Sequence, residues 1–448
     1  MKADVSRWTF DPLQGYARVL QQQGRPHVDA DWNEQVSILL HRLHLLGRDL
    51  IGPFGGPSDY CGFEVTGIDG SPHDFDIGVG RYYVNGVCCE NPTATRYSTQ
   101  PLRVSGPAIE TGKYYLVFLD AWESLVTAAD DPNLIEPAFG GLDSSLRTRI
   151  AWQVRTHEIA PENDADFVHR NWRRFEENWQ PPRRGELRAR IAPVSEERAQ
   201  DQSYVAPARR YRGLENQLYR VEVHYGGAGT GGHDGATFKW SRENGSVVLR
   251  LAKVQDDVLT LDRLDASGVA TLTPGDWLEE VVTGGGHPAA PRGPLMHVVG
   301  RGPGRDDVRV ERATMTASLD PARRNGTWLR RWDQRALQVN RGGVPLRDGT
   351  VVITEGEGLA GWIELEHGVE VQFAPGATYR PGDYWIIPAR IADDGRLLWP
   401  DDDTGPRGMP PHGAIHGYAP LAIVQFTPIA DRKQSCRRQF RMLATTAI

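Results

Sequence analysis

The chain has 448 residues, 39% hydrophobic and 24% charged, with a formal net charge of −7 at pH 7. That length implies about two to four domains, and the mild acidity argues against a general nucleic-acid binder, which needs an excess of Lys and Arg to neutralise phosphate. The start Met1-Lys2-Ala3-Asp4 lacks the apolar core of a signal peptide, and no run of about 18 apolar residues could span a bilayer, so cytoplasmic synthesis without a signal peptide is expected.

With 49 Gly, 31 Pro and 13 Trp, the expected fold class is mainly β. Multiple β-sandwich or small-barrel modules of short strands and tight turns should follow an N-terminal extended arm and one amphipathic helix. Residues 1–57 are the first expected unit. Residues 1–30 read as the arm, with turn signals at Asp11-Pro12 and Gly24-Arg25-Pro26. A helix is predicted over residues 32–50. Asp31-Trp32-Asn33-Glu34 has capping-box spacing with Asp31 as N-cap. Trp32, Val36, Leu39, Leu40, Leu43, Leu46 and Leu50 form one apolar stripe, and Gly52-Pro53 stops the helix.

Strands take over from Phe75. Residues 76–89 read as a hairpin about Asn85-Gly86, and residues 113–120 as a buried strand. Ile150, Trp152 and Val154 alternate with Ala151, Gln153 and Arg155, as in a half-buried strand. A first β-rich domain is expected over 58–215, with a polar, partly helical insertion near 161–215 whose Phe167, Trp172 and Phe175 face inward. A second is expected over 216–325 and a third over 326–448, divided near Arg323-Arg324-Asn325-Gly326. Strands at 218–225, 236–240, 246–251 and 258–261 are separated by Gly or Asp turns. Pro274-Gly275-Asp276-Trp277 is echoed by Pro381-Gly382-Asp383-Tyr384, each Pro-Gly setting a type II turn before a strand.

Few groupings carry chemistry. Asp120 and Glu123, at the end of a buried strand, have the residue types of a glycosidase acid–base pair. Acids at a strand end more often face solvent or pair, here with Arg147 or Arg149. His412 and His416 would suit a metal only on a helix, which Pro410, Pro411 and Gly413 forbid. Glu364, Glu366 and His367 read as a solvated strand face with some capacity for a cation. The Gly-rich stretches 226–232 and 284–286 lack the Gly-Lys-Ser/Thr ending of a phosphate loop and read as hairpin loops. Trp122, Trp152, Trp240, Trp277 and Trp385 sit in apolar runs and read as core. Trp328, Trp332 and Trp399 lie in charged, turn-rich sequence and read as surface. Cys61, Cys88, Cys89 and Cys436 include no CxxC pair. Adjacent Cys88 and Cys89 would point to opposite faces of a strand, which suits neither zinc nor an ordinary disulfide and fits a reducing compartment. No nucleophile elbow occurs. These readings lead us to expect no enzymatic activity, no metal and no organic cofactor.

Longer stretches carry a resemblance. They include Thr9-Phe10-Asp11-Pro12, Val19-Leu20-Gln21-Gln22-Gln23-Gly24-Arg25 and Asp29-Ala30-Asp31-Trp32-Asn33-Glu34-Gln35. Further on come Asp120-Ala121-Trp122-Glu123, Tyr211-Arg212-Gly213-Leu214-Glu215-Asn216-Gln217, Phe238-Lys239-Trp240-Ser241-Arg242-Glu243-Asn244-Gly245 and Pro410-Pro411-His412-Gly413. Over nearly its whole length the chain resembles a family of large bacterial proteins (domain of unknown function 6519) encoded beside phage-tail-like extracellular contractile injection systems. The resemblance implies a structural or adaptor component of such a particle, baseplate-associated or an appendage. It would contact other particle subunits, be homo-oligomeric on the particle, and leave the cell by lysis. The other class is a particle-displayed carbohydrate-binding protein or glycoside-hydrolase-like enzyme, with a surface glycan as ligand.

The arm is the expected docking element. Arg7, Trp8, Phe10, Tyr16, Arg18 and Arg25 are a mixture typical of interface anchors. So short a segment cannot bury them within itself. It either straps onto its own β domain or docks on a neighbouring subunit, with the helix as a rigid mount. Docking is the expectation.

Overall fold

The structure is a computed structural model. It describes residues 1–68, 73–102, 109–139, 142–180, 185–193, 210–229, 235–262, 272–281, 293–318, 327–335, 346–392, 395–403, 405–427 and 432–441. The described chain is mainly β, as composition implies, and its strands form three large cores and a small fourth cluster of Trp277, Leu295 and Trp332.

The first core lies under two four-stranded sheets and a small three-stranded one, Val65–Thr66, Asp76–Ile77 and Thr95–Arg96. Tyr114–Val126 begins with the apolar run read as a buried strand over 113–120 and continues six residues past it. It pairs along its length with Arg147–Ile159 on one side and with His416–Gln425 on the other, and Arg432–Ser435 adds the far edge. In Arg147–Ile159 it is Ala151, Gln153, Val154 and Ile159 that are buried, while Ile150 and Trp152 are half-buried. The expected alternation is therefore displaced, because core lies on both sides of this sheet. The second sheet runs Gln439–Phe440, Phe54–Pro57, Gly80–Val84, Val87–Asn91. Its hairpin turns at Asn85 (φ 50°) and Gly86 (φ 83°), the left-handed pair expected of Asn-Gly. Cys88 is exposed and Cys89 buried on this strand, so the two do point to opposite faces. The polar stretch supplies two short helices. Ala165–Arg170 is capped by the Asp164 carboxylate, which accepts from the Phe167 amide, and Trp172–Trp179 stacks Trp179 on Phe118 at 3.8 Å.

The second core packs beneath a five-stranded sheet of order Leu346–Arg347, Thr350–Val352, Thr237–Ser241, Gln217–Val223, Tyr384–Ala389. A three-stranded sheet, Leu187–Ile191, Val369–Phe373, Ile363–Glu366, shares that core. The third core fills a closed six-stranded barrel of Val248–Gln255, Val258–Asp262, Asp307–Val310, Met296–Arg301, Trp277–Val281 and Trp328–Trp332. Closure leaves the barrel no free edge to pair with another chain. The two Pro-Gly turns have the required left-handed glycines, Gly275 (φ 99°) and Gly382 (φ 88°), but they lead into different architectures, a barrel strand and an open-sheet strand.

The units are nested, not serial. The barrel lies between two strands of the five-stranded sheet, and that sheet's unit lies between two strands of the first. Divisions at 215/216 and 325/326 therefore do not separate hydrogen-bonded units. Gln217–Val223 pairs with Tyr384–Ala389, and Tyr114–Val126 with His416–Gln425. A strand's own sequence does not identify its partner, which is why a linear reading yields serial boundaries. The Arg323-Arg324-Asn325-Gly326 boundary lies outside the described residues, as do the whole of the 194–209 stretch and Gly284-Gly285-Gly286.

The long helix spans Asp29–Ile51, with Val28 at its N-cap and Gly52 (φ 92°) at its C-cap. It starts two residues before the expected cap, so Asp31 sits in the first turn. Glu34 bonds to the Thr9 hydroxyl and not back to a cap, because the arm supplies a better-placed partner. Among the described residues, no helix is long and apolar enough to cross a membrane.

Candidate docking interface

The arm divides into a buried clamp and an exposed span. Residues 1–3 enter a cleft between the five-stranded sheet and the barrel. The Met1 amino group donates to the Tyr384 hydroxyl at 2.8 Å. Asn244 donates to the carbonyls of Met1 and Ala3, and Arg220 donates to that of Met1. Lys2 pairs with Glu222 at 3.0 Å and lies over the Trp332 ring. Glu222 is fully buried and also meets Arg220 at 2.6 Å and Lys239 at 3.8 Å. Lys239, equally buried, pairs with Glu279 of the barrel, which accepts the Trp332 indole N–H at 2.8 Å. Buried charges persist only when paired and hydrogen-bonded, and this network supplies both.

From Ser6 onward the arm lies along the helix. Ser6 donates its amide and hydroxyl to Asp29 at 2.8 and 2.6 Å. Desolvation opposes them, but these two bonds hold the Asp29 carboxyl below its ordinary range. Thr9 meets Glu34, Val19 donates its amide to Gln35, Arg42 donates to the Tyr16 carbonyl, and Phe10 packs on His41 at 5.6 Å. Arg7 and Phe10 are half-buried, whereas Trp8, Tyr16, Arg18 and Arg25 are exposed. Leu13 is 92% exposed, Leu20 69% and Tyr16 59%. The arm's first residues strap onto the chain's own modules, and most of the span after Phe10 faces water. The helix presents its stripe outward too, with Trp32 72% and Leu50 70% exposed, while Ala30 and Ile38 are buried on the opposite face. A monomer rarely leaves so much contiguous apolar surface open unless that surface binds something.

The other sequence candidates fall elsewhere. Asp120 and Glu123 do not converge: Asp120 is fully buried and Glu123 is exposed, three residues on along a strand. Asp120 pairs with Arg155 at 3.1 Å and with His416 Nδ1 at 2.6 Å. His416 lies against Trp122 and packs on Tyr418, so this carboxylate–imidazole pair locks the two long strands together. His412 instead bonds backbone to backbone with Tyr384. Glu366 is drawn off the strand face by a two-pronged bond from Arg242, at 2.8 and 2.7 Å, and His367-Gly368 forms the left-handed turn of a hairpin. Trp122, Trp240, Trp277 and Trp385 are buried as expected, and Trp152 is half-buried. Trp332, expected on the surface, is fully buried: it packs with Trp277 and Leu295, two lysines lie over its ring, and Glu279 accepts its indole N–H. Among the described residues, no three His, Cys, Asp or Glu side chains gather as metal ligands.

The linear reading missed the clamp's receptor. Its signal lay in Gln217–Val223, where Arg220 and Glu222 sit inside an otherwise apolar run that is buried on both faces. The stretch from Phe238 to Gly245 holds most of the rest. Lys239 reaches Glu279, Arg242 reaches Glu366 and Asp333, Glu243 meets Arg331, Asn244 binds the arm, and the Gly245 carbonyl accepts from Arg330. One short segment therefore joins five-stranded sheet, barrel and arm.

These features define a multi-module β protein with an outward-facing N-terminal arm and helix. The family described as "Family of unknown function (DUF6519)" matches residues 1–170 and 183–447, and the chain belongs to it. No curated protein and no solved structure matches the chain.

Proposed function

We propose that this chain is a structural or adaptor component of a phage-tail-like contractile injection particle, and that it docks on a neighbouring particle subunit through its N-terminal arm. The particle context rests on the sequence resemblance described above. The docking role rests on one observation: the arm is anchored at residues 1–3 and again at Asp29, yet between the anchors it offers Leu13, Tyr16 and Leu20 to water. Anchoring at both ends lowers the entropy lost on binding, and exposed aromatic and Arg side chains are the groups that dominate interface affinity. The closed barrel and the five-stranded sheet serve in this reading as a rigid body carried by the mount.

The test uses particles purified from the native host. Point variants are preferable to deletion, because residues 1–3 are built into the core. The triple variant Trp8→Ala, Tyr16→Ala, Arg18→Ala should melt as the unaltered chain does and fall at least tenfold in particle occupancy. Full occupancy of the variant would reject the assignment.

A further inference from the structure

The outward stripe of Asp29–Ile51 has a repeat that selects its partner. Trp32, Val36, Leu39, Leu43, Leu46 and Leu50 follow one another at intervals of 4, 3, 4, 3 and 4 residues. That is the 3.5-residue repeat of a coiled-coil seam, sustained over five consecutive steps. All six side chains are exposed. The seam is not a misplaced core face, because the helix already uses its other side. Ala30 and Ile38 are buried away from the seam, and beside the seam Gly47 lies so close to Gly86 of the first hairpin that an added Cβ would stand 3.1 Å from its backbone. The helix is braced by the hairpin on one flank of the seam and by the arm on the other, and the seam between them stays exposed.

We propose that this seam pairs with the same helix of a second copy of the chain, forming a two-helix coiled coil. A strict 3.5-residue repeat is matched by another helix bearing the same repeat, and not by a sheet or an irregular groove. The other described helices, of 6, 8 and 7 residues, are too short to cover it. The intervals read identically in both directions, so the seam meets its own copy in register whether the helices run parallel or antiparallel. The side chains of the seam, with Leu40 beside it, present roughly 800 Å² per copy, which is what a standard-size interface buries on each partner. The arm lies on the flank formed by Glu34, Gln35, His41 and Arg42 and leaves the seam open. Self-pairing goes beyond the docking role and does not depend on it, since it is a property of the isolated chain.

The experiment is sedimentation of the purified full chain, alone, over micromolar concentrations. The unaltered chain should double its mass. The variant Leu39→Glu, Leu43→Glu should weaken pairing at least a hundredfold with an unchanged circular dichroism spectrum, because both positions face water in the single chain. Arg48→Glu, exposed but off the seam, should pair as before. A second measurement is independent of how the Glu variant folds. A chain carrying Leu39→Cys and Leu43→Cys, with exposed Cys88→Ser, should oxidise to a covalent dimer in either helix orientation. An unaltered chain that stays monomeric, a dimer that survives the Glu pair, or failure to cross-link would each overturn the proposal. A monomeric chain whose Glu variant nonetheless leaves the particle would assign the seam to a different helix, and would also overturn self-pairing. If the arm variants fail to lose the particle while the seam variants lose the dimer, docking fails and self-pairing stands.

Discussion

Glu222 shows how much of this fold depends on single charges. Its carboxylate is withdrawn from water and held by Lys2, Arg220 and Lys239, which belong to the arm and to two strands of the five-stranded sheet. Removing one partner of such a network leaves buried charge uncompensated and typically costs about 3–5 kcal/mol. Glu222→Gln keeps the shape and removes the charge, so a fall of that order in unfolding free energy is expected, read from the urea midpoint. A change below about 1 kcal/mol, the level of a surface pair, would show the network to be solvated. His157 offers a pH-dependent counterpart. Its ring lies edge-on to Phe175 and Trp179, and its Nδ1 accepts the Trp179 indole N–H at 3.5 Å. Burial, opposed by Glu158, holds the imidazole below its ordinary 6.5. The unfolded chain therefore takes up a proton that the folded chain resists. The stability contributed is fully present above pH 6.5 and is lost as pH falls through the depressed folded value. His157→Phe should flatten the decline in urea midpoint between pH 7.5 and 5.5. Equal slopes for the two chains would exclude His157 as the source.

At the scale of elements, the hairpin tip and the helix form one joint. Gly86 adopts φ 83°, and a Cβ there would fall 1.9 Å from the His44 carbonyl oxygen. Gly86→Ala therefore both strains a left-handed turn, at roughly 1–3 kcal/mol, and pushes helix backbone away from hairpin backbone. Lowered melting together with faster hydrogen exchange through Asp29–Ile51 is the expected outcome. Unchanged exchange in the helix would mean that the joint does not hold it. Much of this was legible. Asn85-Gly86 announced the turn because only left-handed residues fit it, and the helix stripe announced itself by period. The side the stripe faces was not legible, since periodicity gives the spacing of a face and not what lies opposite it. The cap was misplaced for a related reason. Asp31 and Glu34 have capping-box chemistry, but Ser6 and Thr9, more than twenty residues away, settle where Asp29 and Glu34 point.

At the scale of the whole molecule, the chain is built from the outside inward and back out again. Its first unit is opened by Phe54–Pro57 and completed only by His416–Gln425, Arg432–Ser435 and Gln439–Phe440. Local strand patterns could not reveal this, because long-range pairing leaves no mark within a seven-residue window, whereas Asp120 and His416 record it directly across 296 positions. The nesting has a measurable consequence. A chain ended after Pro411 would lose His416–Gln425 from between Tyr114–Val126 and Arg432–Ser435, and with it Tyr418, Leu421, Ile423, Val424 and Phe426 of the first core. Tyr114–Val126 would become an unpaired apolar edge, which is an aggregation-prone arrangement. All strands of the five-stranded sheet and the barrel lie before residue 390 and would be kept. Hydrogen exchange on the truncated chain should show protection lost through Tyr114–Val126 and Arg147–Ile159, and retained through Thr237–Ser241 and Trp277–Val281. Serial domains would behave in the opposite way, with the first unit untouched by a cut almost 200 residues beyond its expected end at 215. Retained protection through Tyr114–Val126 would therefore refute the nested architecture.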